Sequence, residues 1–183
     1  MYDNVIPLIL TKTFHMNETL SGAIMAADNI LALFLLPFFG ARSDKTNTKI
    51  GKRMPYILFG TGCAVILMNL LPLIDNSYAA APSSFKTVSF VIVLGLLLIA
   101  MGTYRSPAVA LMPDLTPKPF RSRANAIINL MGAVGGMVYL GVAAILYSQK
   151  RLDAMGLTKA DRLDYQPLFL IVSAIMFVSV GVL

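Results

Sequence analysis

The sequence predicts an all-α integral membrane protein of about six helices, and three observations predict it. The 183 residues are 57% hydrophobic and only 13% charged, where a soluble domain would carry roughly 25% charged residues. The apolar residues gather into runs of about 20, the length needed to cross roughly 30 Å of hydrocarbon. Strongly basic loops alternate with nearly neutral ones, the asymmetry that orients a chain across a membrane.

The elements follow in order. Val5–Leu10 (VIPLIL) is apolar but too short to span, so residues 1–12 read as the last turns of a first helix. Lys12–Thr19 is a polar turn on the outside, with the sequon Asn17-Glu18-Thr19, a pattern common by chance. Residues 20–40 are the first complete span, 21 residues or about 31 Å. The basic loop 41–54 should be cytoplasmic. Residues 55–74 span next, and Asp75–Lys86 reads as a turn-rich external connector. Residues 88–111 return to a second basic loop, 113–123, also cytoplasmic. Residues 124–147 span again, Ser148–Tyr165 is a longer external loop, and residues 166–183 begin a last span that stops short of a crossing. Both ends interrupt a helix, so a single domain of six helices, cut at each end, is expected.

Several function classes drop out. The net charge of +6 sits in short loops between apolar runs, which reads as topology rather than a nucleic-acid face. Cys63 is the single cysteine and His15 the single histidine, so no disulfide framework or metal site is expected. No nucleophile–base pair, HExxH or phosphate-cradling glycine loop points to an enzyme.

The stretch Gly40–Pro55, GARSDKTNTKIGKRMP, places five cations around Asp44. Its pattern, Gly40-x-x-x-Asp44-Lys45 and then Gly51-Lys52-Arg53-x-Pro55-Tyr56, resembles the loop between helices 2 and 3 of the major facilitator superfamily. More narrowly it is similar to the glycoside–pentoside–hexuronide cation symporters and the plant sucrose carriers. A second region, Tyr104–Pro117 with Arg121-Ser122-Arg123-Ala124-Asn125-Ala126, is similar to the sucrose carriers' run into helix 5, so the likeness covers nearly the whole chain. The resemblance implies the amino-terminal six-helix half of that fold, two inverted three-helix repeats. It also implies a cytoplasmic gate latch at Gly40, Arg42, Asp44, Lys45, Gly51, Lys52 and Arg53, with Asp114, Arg121 and Arg123 as its echo one repeat on. Two departures stand out. The plant carriers' arginine falls at Val109, one turn from Arg105. The paired helix-2 acids of the sodium-coupled members fall at Ala32 and Leu36.

Charges at bilayer depth are functional candidates by default. Asp28 lies about 12 residues, roughly 18 Å, from the cytoplasmic end of its span, and Arg105 about eight, roughly 12 Å. That offset of roughly 6 Å predicts a pair within reach. Asp3 lies roughly 14 Å from the external side. Asn29 and Tyr104 flank these charges. Arg121, Asn125, Asn129, Gly132 and Gly136 share one helix face by their spacing, and that face is expected to point into the bundle, with Asn129 at about the depth of Arg105. A desolvated carboxylate beside a cation can load and release a proton as its exposure changes.

These readings predict a secondary active transporter, a cation-coupled symporter of a sugar or glycoside working by alternating access. The alternatives are an exporter of drugs or amphiphiles, or a half-protein without transport of its own that assembles with a partner. The coupling ion is expected to be a proton, with sodium as the alternative, and no other cofactor or metal is expected. Expected partners are the lipid bilayer of the plasma membrane, the sugar, and a second six-helix half.

Overall fold

The computed structural model describes residues 2–48, 51–148, 152–153, 156 and 163–181, without the side chains of Tyr2, Asp3 and Asp28. It is helical throughout: α1 (Tyr2–Lys12), α2 (Glu18–Lys45), α3 (Met54–Ala80), α4 (Ser84–Leu115), a 3₁₀ turn (Lys118–Phe120), α5 (Arg121–Leu146) and α6 (Gln166–Gly181). No strand occurs among the described residues. The helices α2, α3 and α4, and the segment Lys118–Leu146 that holds α5, are long and apolar enough to cross a membrane, and α6 is a shorter apolar helix.

The helices outrun the apolar runs, α2 continuing past Gly40 to Lys45 and α3 past Ile74 to Ala80. The connector expected at Asp75–Lys86 is corrected accordingly. Only residues 81–83 separate α3 from α4. Lys86 folds back so that its Nζ donates to the carbonyls of Ser77 (2.7 Å) and Ala81 (2.9 Å), closing the last turn of α3 with a cation where the helix dipole favours one. Asp75 is therefore helical and fully buried rather than a loop residue. At the other end, α2 continues to Lys45, which puts Arg42 and Asp44 on its last turns.

α3 and α4 form the central pair. α2 packs on α4, α6 on α3, and α1 against α2. Lipid supplies no hydrophobic drive between helices, so close approach of backbones at small residues has to supply contact. A Cβ added to Gly60 on α3 would lie 2.9 Å from both the backbone nitrogen and the Cβ of Tyr104 on α4. One added to Gly102 would lie 3.2 Å from Leu35 Cβ on α2, and one on Gly40 would lie 2.8 Å from Ser106 Oγ. A polar pair joins α3 to α6, where Asn69 Nδ2 donates to Ser173 Oγ at 2.9 Å. Phe14 wedges against Tyr78 and Phe90 at centroid distances of 4.4 and 4.8 Å, closing the end away from the basic loops.

α5 departs from the sequence expectation. The face carrying Arg121, Asn125, Asn129, Gly132 and Gly136 does not point into the described bundle. No residue of α5 is buried, and nothing lies within 4 Å of a Cβ added at Gly132 or Gly136. The i, i+4 spacing set the face correctly, but which way it turns depends on neighbours, and no described helix covers it.

Gly60→Ala should lower thermal stability in detergent by about 1–3 kcal/mol, the range for forcing a methyl into a closed contact. Gly62→Ala, with nothing within 4 Å, should stay within about 0.5 kcal/mol of the parent. Equal midpoints for the two variants would contradict the tight α3–α4 seam.

Candidate functional site

Loop geometry creates the site. Gly51 takes φ +115°, a conformation that side-chain-bearing residues avoid. Its N–H donates to the Thr48 carbonyl at 3.0 Å, while Thr48 Oγ1 donates to the Gly51 carbonyl at 2.5 Å. Two residues on, Arg53 caps α3. Its Nη2 lies 2.7 Å from Asp44 Oδ1 on α2 and its Nε 2.5 Å from Asp114 Oδ2 on α4. A third contact, Nη1 to Ser43 Oγ, is 3.4 Å. The planar guanidinium suits this role because it can serve several acceptors at once. The Arg53 side chain is only 11% exposed, against 57% and 51% for the two carboxylates. The cation is thus the enclosed member of the trio. Beside it, Thr46 Oγ1 and Tyr56 Oη lie 2.9 Å apart and join α2 to α3 again.

The latch expected around Asp44, Arg42 and Arg53 therefore has different membership. Arg42 and Lys45 are exposed on α2 and make no ion pair among the described residues. Asp114, expected in a separate echo, instead shares Arg53 with Asp44. Arg121 donates its Nε to the Thr116 carbonyl at 3.3 Å, and Arg123 is exposed. Lys52, Arg53 and Arg121 all act on Asp114. Its carboxyl is held below the usual carboxylate range first by the hydrogen bond from Arg53, against slight desolvation, and then by those three charges.

The intramembrane candidates do not converge on one another. Leu35 lies against Gly102 and Gly40 against Ser106, so Arg105 is level with residues 38–39 of α2. Asp28 sits about ten residues higher, roughly 15 Å along the helix, which corrects the expected offset of roughly 6 Å. Counting from the ends of the apolar runs hid the different lengths by which α2 and α4 continue beyond them. The side chains of Asp28 and Asp3 lie outside the described residues, so no contact of either is described. Asn29, Arg105 and Asn129 are exposed, and Asn29 Nδ2 donates to the Met25 carbonyl at 3.0 Å. Tyr104 turns toward α3 and α6 instead, into a hollow with Ile57, Thr61 and Met176. Sequence reasoning missed Asn69 with Ser173, whose pairing spans 104 positions, and the burial of Asp75 and Thr61. An asparagine in an apolar run was the available signal for the first.

Because Asp114 is held low, the stability from its contact with Arg53 is complete above the ordinary aspartate value of about 4. It is lost only as pH falls through the lower folded value. The difference in thermal midpoint between the parent and Arg53→Gln should stay constant from about pH 8 to about pH 5 and close below about pH 4. A difference that closes near neutrality would show that another group governs the clasp.

Known proteins agree with this architecture. The family profile of the Major Facilitator Superfamily matches residues 1–183. A sucrose transport protein of Arabidopsis thaliana is 32% identical over 147 residues, which is 73% of this chain and 24% of that protein. A sucrose transport protein of Oryza sativa subsp. indica is 28% identical over 141 residues, 69% of this chain and 28% of that protein. A protein of Escherichia coli strain K12, named as a transporter, is 36% identical over 92 residues, 48% of this chain and 20% of that protein. No solved structure gives a significant match. The matched stretch spans about a quarter of the length of the two plant relatives. Among the described residues the architecture is all-helical and four helices are long and apolar enough to cross a membrane; with a family match from end to end, this leads to one conclusion: the chain is a multi-pass membrane protein that belongs to the major facilitator superfamily.

Proposed function

We propose that this chain is the amino-terminal half of a carrier that moves a sugar or glycoside, sucrose first among the candidates, across the plasma membrane by alternating access. A proton is the proposed coupling ion. The observation that carries the reading is Arg53. One enclosed guanidinium holds the ends of α2, α3 and α4 together at the basic end. A carrier that alternates its opening needs contacts there that close in one state and part in another. The names of the plant relatives supply the substrate class.

In this reading Asp44, Asp114 and Arg53 form the latch, and Gly51 sets the turn that delivers Arg53 to it. Asn29, Arg105 and Asn129 are exposed within otherwise apolar helices, where a polar side chain is disfavoured unless it faces a partner or a watery cavity. A second six-helix half covering α2 and α5 would enclose these groups, together with Asp28, around substrate. While Arg53 holds Asp114, its carboxyl is kept below the usual carboxylate range, which suits a latch acid rather than a proton carrier.

Proteoliposomes holding the complete gene product, with the interior made alkaline, should accumulate radiolabelled sucrose. Arg53→Ala should cut that uptake at least tenfold while protein remains in the membrane. Asp28→Asn should abolish accumulation driven by the pH gradient and leave sucrose exchange. No gradient-driven uptake of sucrose or of any glycoside tested would overturn the reading.

A further inference from the structure

α6 follows α3 through its outer part and then parts from it. At the end away from the basic loops, Asn76 Nδ2 donates to Asp164 Oδ1 at 3.0 Å and to Gln166 Oε1 at 3.3 Å. The same Asp164 oxygen accepts the Gln166 N–H at 2.9 Å, and the Asp164 carbonyl accepts from Tyr147 Oη, at the end of α5, at 2.8 Å. Further in, Asn69 Nδ2 donates to Ser173 Oγ at 2.9 Å. Between the pair Asn76–Gln166 and the pair Asn69–Ser173, both helices advance seven residues in opposite directions. Seven residues are two turns, with a drift of only about 20°, so the next facing pair is Gly62 and Val180.

No contact is made there, since nothing lies within 4 Å of a Cβ added to Gly62. Beside the gap, α3, α4 and α6 leave a hollow of about 350 Å³ with Thr61, Ala108, Met176 and Val180 in its walls. Thr61 is 3% exposed, yet its Oγ1 has no hydrogen-bond partner among the described residues, a state that buried hydroxyls avoid. The other helices are fastened at this end: Gly60 seats α4 on α3, and Arg53 ties α2, α3 and α4. The last turns of α6 have no such tie among the described residues. Ser179 Oγ donates to the Ile175 carbonyl of its own helix instead.

We propose that α6 pivots on its outer ties and has a second arrangement, in which its basic end closes on α3, Val180 packs over Gly62 and the hollow is lost. Gly62 permits the closure because a glycine lets two membrane helices approach closely. Carriers of this kind work largely by rocking one repeat or bundle against another; this joint adds a movement inside one half. It is measured without transport, so it stands or falls independently of the carrier reading.

Disulfide trapping in the complete gene product, with Cys63→Ser removing the native thiol, tests it. A disulfide brings two Cβ atoms to about 3.8 Å, closer than any atom of a neighbouring helix stands to the Gly62 position here. Gly62→Cys with Val180→Cys should oxidise to completion, but about tenfold or more slowly than Asn76→Cys with Gln166→Cys, because the closed arrangement is the minor one. Ala108→Phe, which places a ring in the hollow, should slow the first pair about tenfold further, an added cost of about 1.4 kcal/mol to closure. It should leave the second pair unchanged, and that second pair also reports that the variant folds. Thermal midpoints of the reduced proteins check the cysteine variants. No disulfide between positions 62 and 180, while the one between 76 and 166 forms, would overturn the proposal and leave the gap to lipid or water. Equal rates for the two pairs would overturn it as well, by showing a seam already closed, and so would a 62–180 bond indifferent to Ala108→Phe.

Discussion

The arrangement of the basic end depends on one shared cation. Arg53 sits at the start of α3 and reaches an acid on α2 and another on α4. Neither carboxylate could hold the three helix ends alone, since both are more than half exposed and solvated ion pairs contribute little. Sharing one enclosed guanidinium ties the three ends to one another. Gly51 is the backbone condition for it, because its positive φ turns the chain so that Arg53 lands between the acids. The Thr46–Tyr56 contact fastens the same turn from the other side.

Away from that end, geometry rather than charge holds the helices. Gly60, Gly102 and Gly40 let α4 approach α3 and α2 so closely that a methyl group would meet neighbouring atoms. Such contact replaces the hydrophobic drive that lipid removes. It also sorts the polar side chains of α4. Tyr104 is drawn toward Gly60 and the α6 side, while Arg105, about 100° further round the helix, is left exposed. Beside this tight seam, Tyr104, Ile57, Thr61 and Met176 wall an open hollow between α3, α4 and α6.

Much of the architecture is legible in the sequence. Runs of about 20 apolar residues and alternating basic loops pointed to membrane helices. Gly51, Arg53 and Asp44 belong to a pattern whose glycines, acid and proline topology alone does not require. The membership of the clasp was not legible. Asp114 lies 61 positions from Arg53, and nothing in its neighbourhood distinguishes a partner in this clasp from a separate echo. Arg42, closer in sequence and equally basic, stays in solvent.

The class of structure is readable from local sequence, because the hydrocarbon core imposes length and polarity on every segment that crosses it. Local sequence also determines which residues share a helix face, as with Asn125, Asn129 and Gly132, because helical periodicity is local too. Packing between helices sets which way that face turns, the depth gap of about ten residues between Asp28 and Arg105, and the burial of Asp75. Those outcomes depend on the axial register between α2 and α4 and on how far each helix outruns its apolar run. Both are set by contacts such as Gly40 against Ser106 and Gly102 against Leu35. Contacts between residues more than 60 positions apart leave no trace in local composition, so packing alone could choose among the registers the sequence allowed.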